Sequence, residues 1–133
     1  MPDEPVSGKP VRILMAEDNP INQKVGKLIL QRAGFVIDLV EDGSEALEAQ
    51  RANPYDLILM DCQMPIMDGF EASRQIRQLD GPQPVIVAVT ANALVGERER
   101  CLQAGMNDYL SKPFQAEQLI SVVKKWVSGR ASV

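Results

Sequence analysis

The chain has 133 residues, a net charge of −4 and no histidine. That length supports one domain with a real core, and the acidic balance argues against general nucleic-acid binding. The missing histidine excludes a Ser–His or Cys–His nucleophile pair and any imidazole-ligated metal within the chain. Any phosphohistidine chemistry would have to use a histidine from elsewhere. No apolar stretch approaches the roughly 18 residues of a membrane span. Met1 to Pro10 is polar, contains Pro and Gly, and lacks the apolar segment of a secretory signal. It reads as a flexible tail or linker remnant, with the domain at residues 11–128 and a second short tail at 129–133. Cys62 and Cys101 lack metal-ligand spacing and read as reduced, buried small hydrophobes in a cytoplasmic protein.

In chain order, strand-like and helix-like stretches alternate. Val11 to Ala16 is apolar apart from Arg12 and ends at Glu17-Asp18-Asn19-Pro20. Asn19 can cap a helix, and Pro20 suits its first position, where a missing N–H costs nothing. Ile21, Val25, Leu28 and Ile29 follow at helical spacing, and Gly34 suits the stop. Val36 to Val40 is a second strand, carrying Asp38. Asp42 with Glu45 resembles a capping box for a helix that Pro54 ends. Leu57-Ile58-Leu59-Met60 is a third, fully buried strand that closes on Asp61. After the Pro65 loop, Asp68-Gly69 opens a helix with Ala72, Ile76 and Leu79 on one face. Val85 to Thr90 is the fourth strand. Ala91 to Ala104 is a weakly apolar helix containing Gly96, and Asn107 to Lys112 is a polar fifth strand before Pro113. Leu119, Val122, Val123 and Trp126 then mark the last helix at i, i+3, i+4 and i+7.

Five strands alternating with five helices predict right-handed crossovers and a parallel sheet. The most apolar strands, the first, third and fourth, belong at its centre. The charged second and fifth belong at its edges. The result is the flavodoxin-like order 2-1-3-4-5, an α/β fold with helices on both faces.

Such a sheet gathers its strand ends at one edge. Glu17-Asp18, Asp61, Thr90 and Lys112-Pro113 would all meet there, beside the crevice where the strand order reverses. Three close carboxylates repel one another unless a cation intervenes. Mg²⁺ suits them, since it takes oxygen ligands from one or two carboxylates, waters and phosphate. Lys112 adds a fixed positive charge and Thr90 a hydroxyl donor. These are the parts that phosphoryl transfer needs, and a carboxylate nucleophile would give an acyl phosphate. Each residue alone has a plain explanation as a cap, a β-former or a surface charge. Four of them at four different strand ends do not.

Glu17-Asp18, Met60-Asp61-Cys62-Gln63-Met64-Pro65, Met67-Asp68-Gly69, Thr90-Ala91 and Lys112-Pro113-Phe114, at their spacings, resemble a response-regulator receiver domain. This is the CheY-like phosphoacceptor module of two-component phosphorelays. The resemblance runs over roughly Val11 to Ser128. It implies that Asp61 accepts a phosphoryl group from a phosphohistidine on a histidine kinase or phosphotransfer protein. It implies Mg²⁺ held by Glu17, Asp18, Asp61 and the Gln63 backbone carbonyl, with Glu17 acting through water. The phosphoryl oxygens would be met by Lys112, Thr90 and the backbone N–H groups of Cys62 and Ala91. Thr90 and Tyr109 would move inward together as a switch, and a cis Lys112–Pro113 bond would shape the lysine loop. Gln63 and Asn92 flank the site, where they could steer an attacking water.

Asp18-Asn19-Pro20-Ile21-Asn22-Gln23 further resembles receivers of hybrid sensor histidine kinases. This implies a cytoplasmic domain that is not itself an enzyme, monomeric or weakly dimeric, with no direct contact to nucleic acid or membrane. The parent chain could be a membrane-bound kinase. The alternative is a small Mg²⁺-dependent phosphohydrolase with an aspartyl-phosphate intermediate. That chemistry would want a second Asp two residues after Asp61, where Gln63 stands. A flavodoxin-type cofactor domain would want a phosphate-binding loop where acidic Glu17-Asp18 stands.

Overall fold

Short apolar runs build the sheet. β1 (Ile13–Ala16), β3 (Leu57–Asp61) and β4 (Val85–Thr90) are buried along their whole length, as strands covered on both faces must be. β2 (Ile37–Val40) and β5 (Asp108–Ser111) flank them. Every neighbour pairs in parallel, in the order β2-β1-β3-β4-β5. The computed structural model describes residues 11–91 and 95–131. The expected tail at residues 1–10, and Asn92, lie outside them.

The edge strands tolerate charge because each carboxylate finds a donor. Asp38 in β2 accepts the Tyr55 hydroxyl at 2.6 Å. Asp108 in β5 accepts the Trp126 indole N–H at 2.9 Å. Between the strands lie α1 (Pro20–Arg32), α2 (Gly43–Ala52), α3 (Gly69–Ile76) and α4 (Val95–Gln103), and α5 (Ala116–Ala131) closes the chain. Strand side chains alternate between the two faces, which creates two cores. Leu14, Ile58, Met60, Ile86 and Ala88 pack with Leu47 of α2, Phe70 and Ile76 of α3 and Cys101 of α4. Ile13, Met15, Leu57, Leu59 and Val87 pack with Leu30 of α1 and Leu119 and Val123 of α5. Phe114 and Trp126 lie partly buried against this second core.

The structure adjusts several expectations. Most of the expected face of α1 is turned outward: Ile21, Val25 and Leu28 are exposed, Ile29 packs partly buried on the core, and Gly26 and Leu30 are buried. Leu30 and the partly buried Ile29 face the core, and Gly26 lets the helix lie close over the Met15 side chain. Asn19 does cap α1, accepting the N–H groups of Ile21 at 2.8 Å and Asn22 at 3.3 Å. Asp42 caps α2 through the Glu45 N–H at 2.8 Å, but Glu45 reaches back to the N–H of Glu41, not to that of Asp42. Ala91 lies outside helix α4, whose described residues are Val95–Gln103, and α5 continues to Ala131.

Gly69 and Gly96 should respond oppositely to alanine. A Cβ on Gly69 would strike the Asp61 backbone carbonyl, whereas one on Gly96 meets nothing within 4 Å. Urea unfolding should show Gly69→Ala losing about 1–3 kcal/mol to overpacking. Gly96→Ala, within an exposed helical turn, should gain up to about 1 kcal/mol.

Candidate functional site

The ladder register sets the site. Ala16 pairs with Met60, so the next residues along, Glu17 and Asp61, emerge side by side. Asp61 in turn pairs with Val89, and Thr90 with Ser111, which brings Thr90 and Lys112 to the same edge. The four strand ends line a cleft of about 350 Å³, with Gln63 and Ala91 on its rim and Asn19, Pro20 and Asn22 of the α1 start along one side.

Three carboxylates share this cleft. Glu17, Asp18 and Asp61 each present an oxygen within 4.8 Å of the other two. Glu17 is 1% exposed and Asp61 4%, whereas Asp18 faces solvent. Glu17 Oε2 accepts the Asn19 N–H at 3.0 Å, which fixes the turn that carries Asp18. Asp61 Oδ1 accepts the Gln63 N–H at 3.1 Å. Lys112 Nζ donates to Asp61 Oδ2 at 2.8 Å and lies 3.2 Å from Glu17 Oε1. One ammonium therefore serves two nearly buried carboxylates. Lys112 is held in turn by its own backbone, which donates to Thr90 O at 2.7 Å, and by the cis Lys112–Pro113 bond that follows.

Burial pulls the Lys112 ammonium toward its neutral form. The Asp61 and Glu17 carboxylates outweigh that, and its pKa is raised. The stabilisation from this shift is complete below the unfolded lysine value of about 10.4 and is lost as the pH rises through the higher folded value. The ammonium is thus constant across the neutral range. The donor set, hard carboxylate oxygens with one exposed member to share with water, fits a hard divalent cation.

Thr90 is 3% exposed, with Oγ1 3.4 Å from Glu97 Oε2 on α4. Tyr109 lies half-buried at the sheet edge, with the Arg98 guanidinium 5.0 Å from its ring centre. The Cys62 N–H, an expected anion donor, donates to Val89 O at 2.9 Å and extends the β3–β4 ladder. The N–H beside the Asp61 carboxylate is that of Gln63. Glu97 is the residue that sequence reasoning missed. Only its fold position separates it from the neighbouring Glu99, which points outward.

The response regulator receiver domain model matches residues 13–124. The chain belongs to this family. Its receiver sequence is 42% identical over 132 residues to hybrid signal transduction histidine kinase B of Dictyostelium discoideum, covering 90% of this chain and 7% of that protein. It is also 42% identical over 130 residues to the sensor histidine kinase GacS of Pseudomonas protegens, covering 94% of this chain and 14% of that protein. The chain thus spans a small part of these kinases. The receiver domain of sensor histidine kinase PA1611 from Pseudomonas aeruginosa, solved with magnesium in its active-site cleft, superposes with a TM-score of 0.82. It is 47% identical and matches 90% of this chain and 99% of that one. The receiver domain of Ssk1, crystallised with the histidine phosphotransfer protein Ypd1 of Saccharomyces cerevisiae, matches with a TM-score of 0.86. Identity there is 30%, with 92% of each chain covered. Among the described residues of this receiver, no helix is long and apolar enough to cross a membrane.

Without a divalent cation, Lys112→Met should cost about 1–3 kcal/mol in urea unfolding at neutral pH, because it strands two nearly buried carboxylates. Adding Asp61→Asn to that variant should recover part of the loss, by removing one of the repelling charges.

Proposed function

We propose that this receiver accepts a phosphoryl group on Asp61 from a phosphohistidine. The observation that carries this reading is the Lys112–Asp61 contact at 2.8 Å inside a cleft shared by Glu17 and Asp18. It is a nucleophilic carboxylate held between a fixed cation and a metal-type oxygen cluster. An Asp61 oxygen attacks phosphorus as the phosphorus–nitrogen bond breaks. The leaving imidazole nitrogen keeps that electron pair, and one proton restores neutral histidine. Glu17, through water, with Asp18, Asp61 and the Gln63 carbonyl would hold Mg²⁺, which would supply charge neutralisation of the transferring group. Lys112 neutralises a phosphoryl oxygen, and the Thr90 hydroxyl and the Ala91 N–H donate to the others. Cys62 supports the site from below through its ladder bond.

The phosphoryl group then favours an inward Thr90 and Tyr109 over the resting arrangement. Helix α4 is the element that answers. Its charged residues, except Glu97, are exposed, so little apolar packing holds it. The chain acts as a switch or relay intermediate in the cytoplasm, within a hybrid histidine kinase or as a separate regulator. Alone it is monomeric or weakly dimeric, and it sheds its phosphoryl group without turning over an external substrate.

The donor must reach Asp61 past the cleft's rim. Ile21, Val25 and Leu28 lie at i, i+4 and i+7 on α1, are 71%, 43% and 50% exposed, and start beside the cleft. Ile66, 84% exposed and held at φ 70°, projects from the loop after β3. Few β-branched residues adopt that backbone, and its retention with an outward side chain suits a contact surface. A histidine kinase or phosphotransfer protein seated on these apolar groups would bring its phosphohistidine to the cleft.

Incubation with Mg²⁺ and a small acyl phosphate should add one phosphoryl group to the Asp61 peptide by mass spectrometry. The label should be absent without Mg²⁺ and absent in Asp61→Asn, and its loss should be slow. Val25→Asp should leave this labelling intact while slowing transfer from a phosphorylated histidine phosphotransfer protein by about tenfold or more. Equal transfer rates would remove α1 from the docking surface.

A further inference from the structure

Helix α4 presents four charged side chains, Glu97, Arg98, Glu99 and Arg100, and Glu97 alone turns inward. Its side chain is 12% exposed, with Oε1 3.7 Å from Arg100 Nη1 and Oε2 3.4 Å from the Thr90 hydroxyl. The carboxylate lies on the inner side of the helix, near the two buried thiols. The Cys62 and Cys101 thiols are pushed up chiefly by burial, and the charge of Glu97 adds to both shifts. The acid thus sits between the first turn of α4 and the end of β4, a position that phosphoryl transfer itself does not require.

We propose that Glu97 is a positioning residue that holds the Thr90 hydroxyl as a donor in the resting receiver, competing with the phosphoryl group for the same proton. A hydroxyl carries one hydrogen and donates one bond at a time. When Thr90 donates to Glu97, that hydrogen is unavailable to an anion on Asp61. When a phosphoryl oxygen takes it, Glu97 loses its Thr90 contact and the first turn of α4 loses one of its ties to the sheet, the Arg98–Tyr109 contact being another. The same exchange therefore sets both the readiness of the site and the release of the helix. This inference rests on the reading of Thr90 as a phosphoryl ligand and extends it to a residue outside the cleft.

Glu97→Gln keeps the shape and removes the charge, so a charge-assisted acceptor becomes a neutral one of about half the strength. The test is a double-mutant cycle with the isolated receiver, reading by calorimetry the affinity for beryllofluoride, a phosphoryl stand-in, in the presence of Mg²⁺. Glu97→Gln should bind it about fivefold more tightly than wild type. In a Thr90→Val background, which preserves shape but has no hydroxyl, the same change should leave affinity within about twofold. An equal gain in both backgrounds would mean that Glu97 acts only as a distant negative charge, and would overturn the proposal. So would an unchanged or weaker affinity in the Thr90 background. Hydrogen exchange supplies a second readout. The first-turn amides of α4 should exchange faster in resting Glu97→Gln, as they should in wild type only after beryllofluoride binds. No acceleration in the variant would also count against the latch. Failure of wild type to bind beryllofluoride would defeat the phosphoacceptor reading and the latch with it. Wild-type binding without coupling between Glu97 and Thr90 would defeat the latch alone.

Discussion

One ammonium facing a cluster of carboxylates is the constraint on which this molecule turns. Lys112 lies within 3.2 Å of both Glu17 and Asp61, and the third acid, Asp18, is left to solvent. Like charges packed this closely resist assembly, so the surrounding fold must hold them there. It does so with groups that have little freedom. Glu17 is pinned by the Asn19 N–H, and Lys112 enters from a backbone bonded to Thr90. Asp61 ends a strand buried from end to end. The two apolar cores supply the stability, and the strand ends set the geometry of the repelling charges. A site under-neutralised in this way is suited to ligands that bring positive charge, or that exchange one set of charges for another.

The fold was legible because hydrophobic runs and turn residues mark a parallel α/β chain clearly. The continuous apolar strands at Leu57 and Val85 announced the sheet centre, and Asp38 and Asp108 announced its edges. The site was legible for a related reason. A parallel sheet brings strand ends together whatever lies between them, so residues far apart in sequence could be assigned to one place. What stayed hidden depended on rotation and on hydrogen-bond partners. The helical spacing of Ile21, Val25 and Leu28 is the usual mark of a buried face. The burial of Leu30 and the core contact of Ile29 reveal that the helix is rolled so that this stripe faces outward. That the N–H of Cys62 is taken up by Val89 O follows only from the continuation of the ladder past Asp61. Glu97 and Glu99 are indistinguishable until the helix is set against β4.

The two ends of α4 are held by different kinds of contact. Its far end leads into a loop gripped by Arg77, whose guanidinium donates to Gly105 O and Asn107 Oδ1 at 2.8 Å each and also reaches Pro84 O. Asn107 Oδ1 in turn accepts the Ile86 N–H at 2.8 Å. These charge-assisted bonds to several backbone groups join α3, β4 and the β5 entry. Among the described residues, the near end meets the sheet through the long Thr90–Glu97 hydrogen bond and through the Arg98 guanidinium, 5.0 Å from the Tyr109 ring centre. Such an element has a firm end and a soft end. Motion is to be sought at the soft end, which is the one that meets the phosphoryl site.

The alternation of strand side chains, described above as two separate cores, also divides the surface. The apolar stripe of α1 belongs to the layer packed by Leu30 and α5, whereas α4 anchors through Cys101 into the opposite layer. The sheet stands between them as a wall. A body resting on α1 leaves α4 uncovered, and a body gripping α4 leaves the α1 rim open. If α1 receives the phosphodonor, as proposed, and α4 carries the readout, the two contacts fall on opposite sides of the sheet.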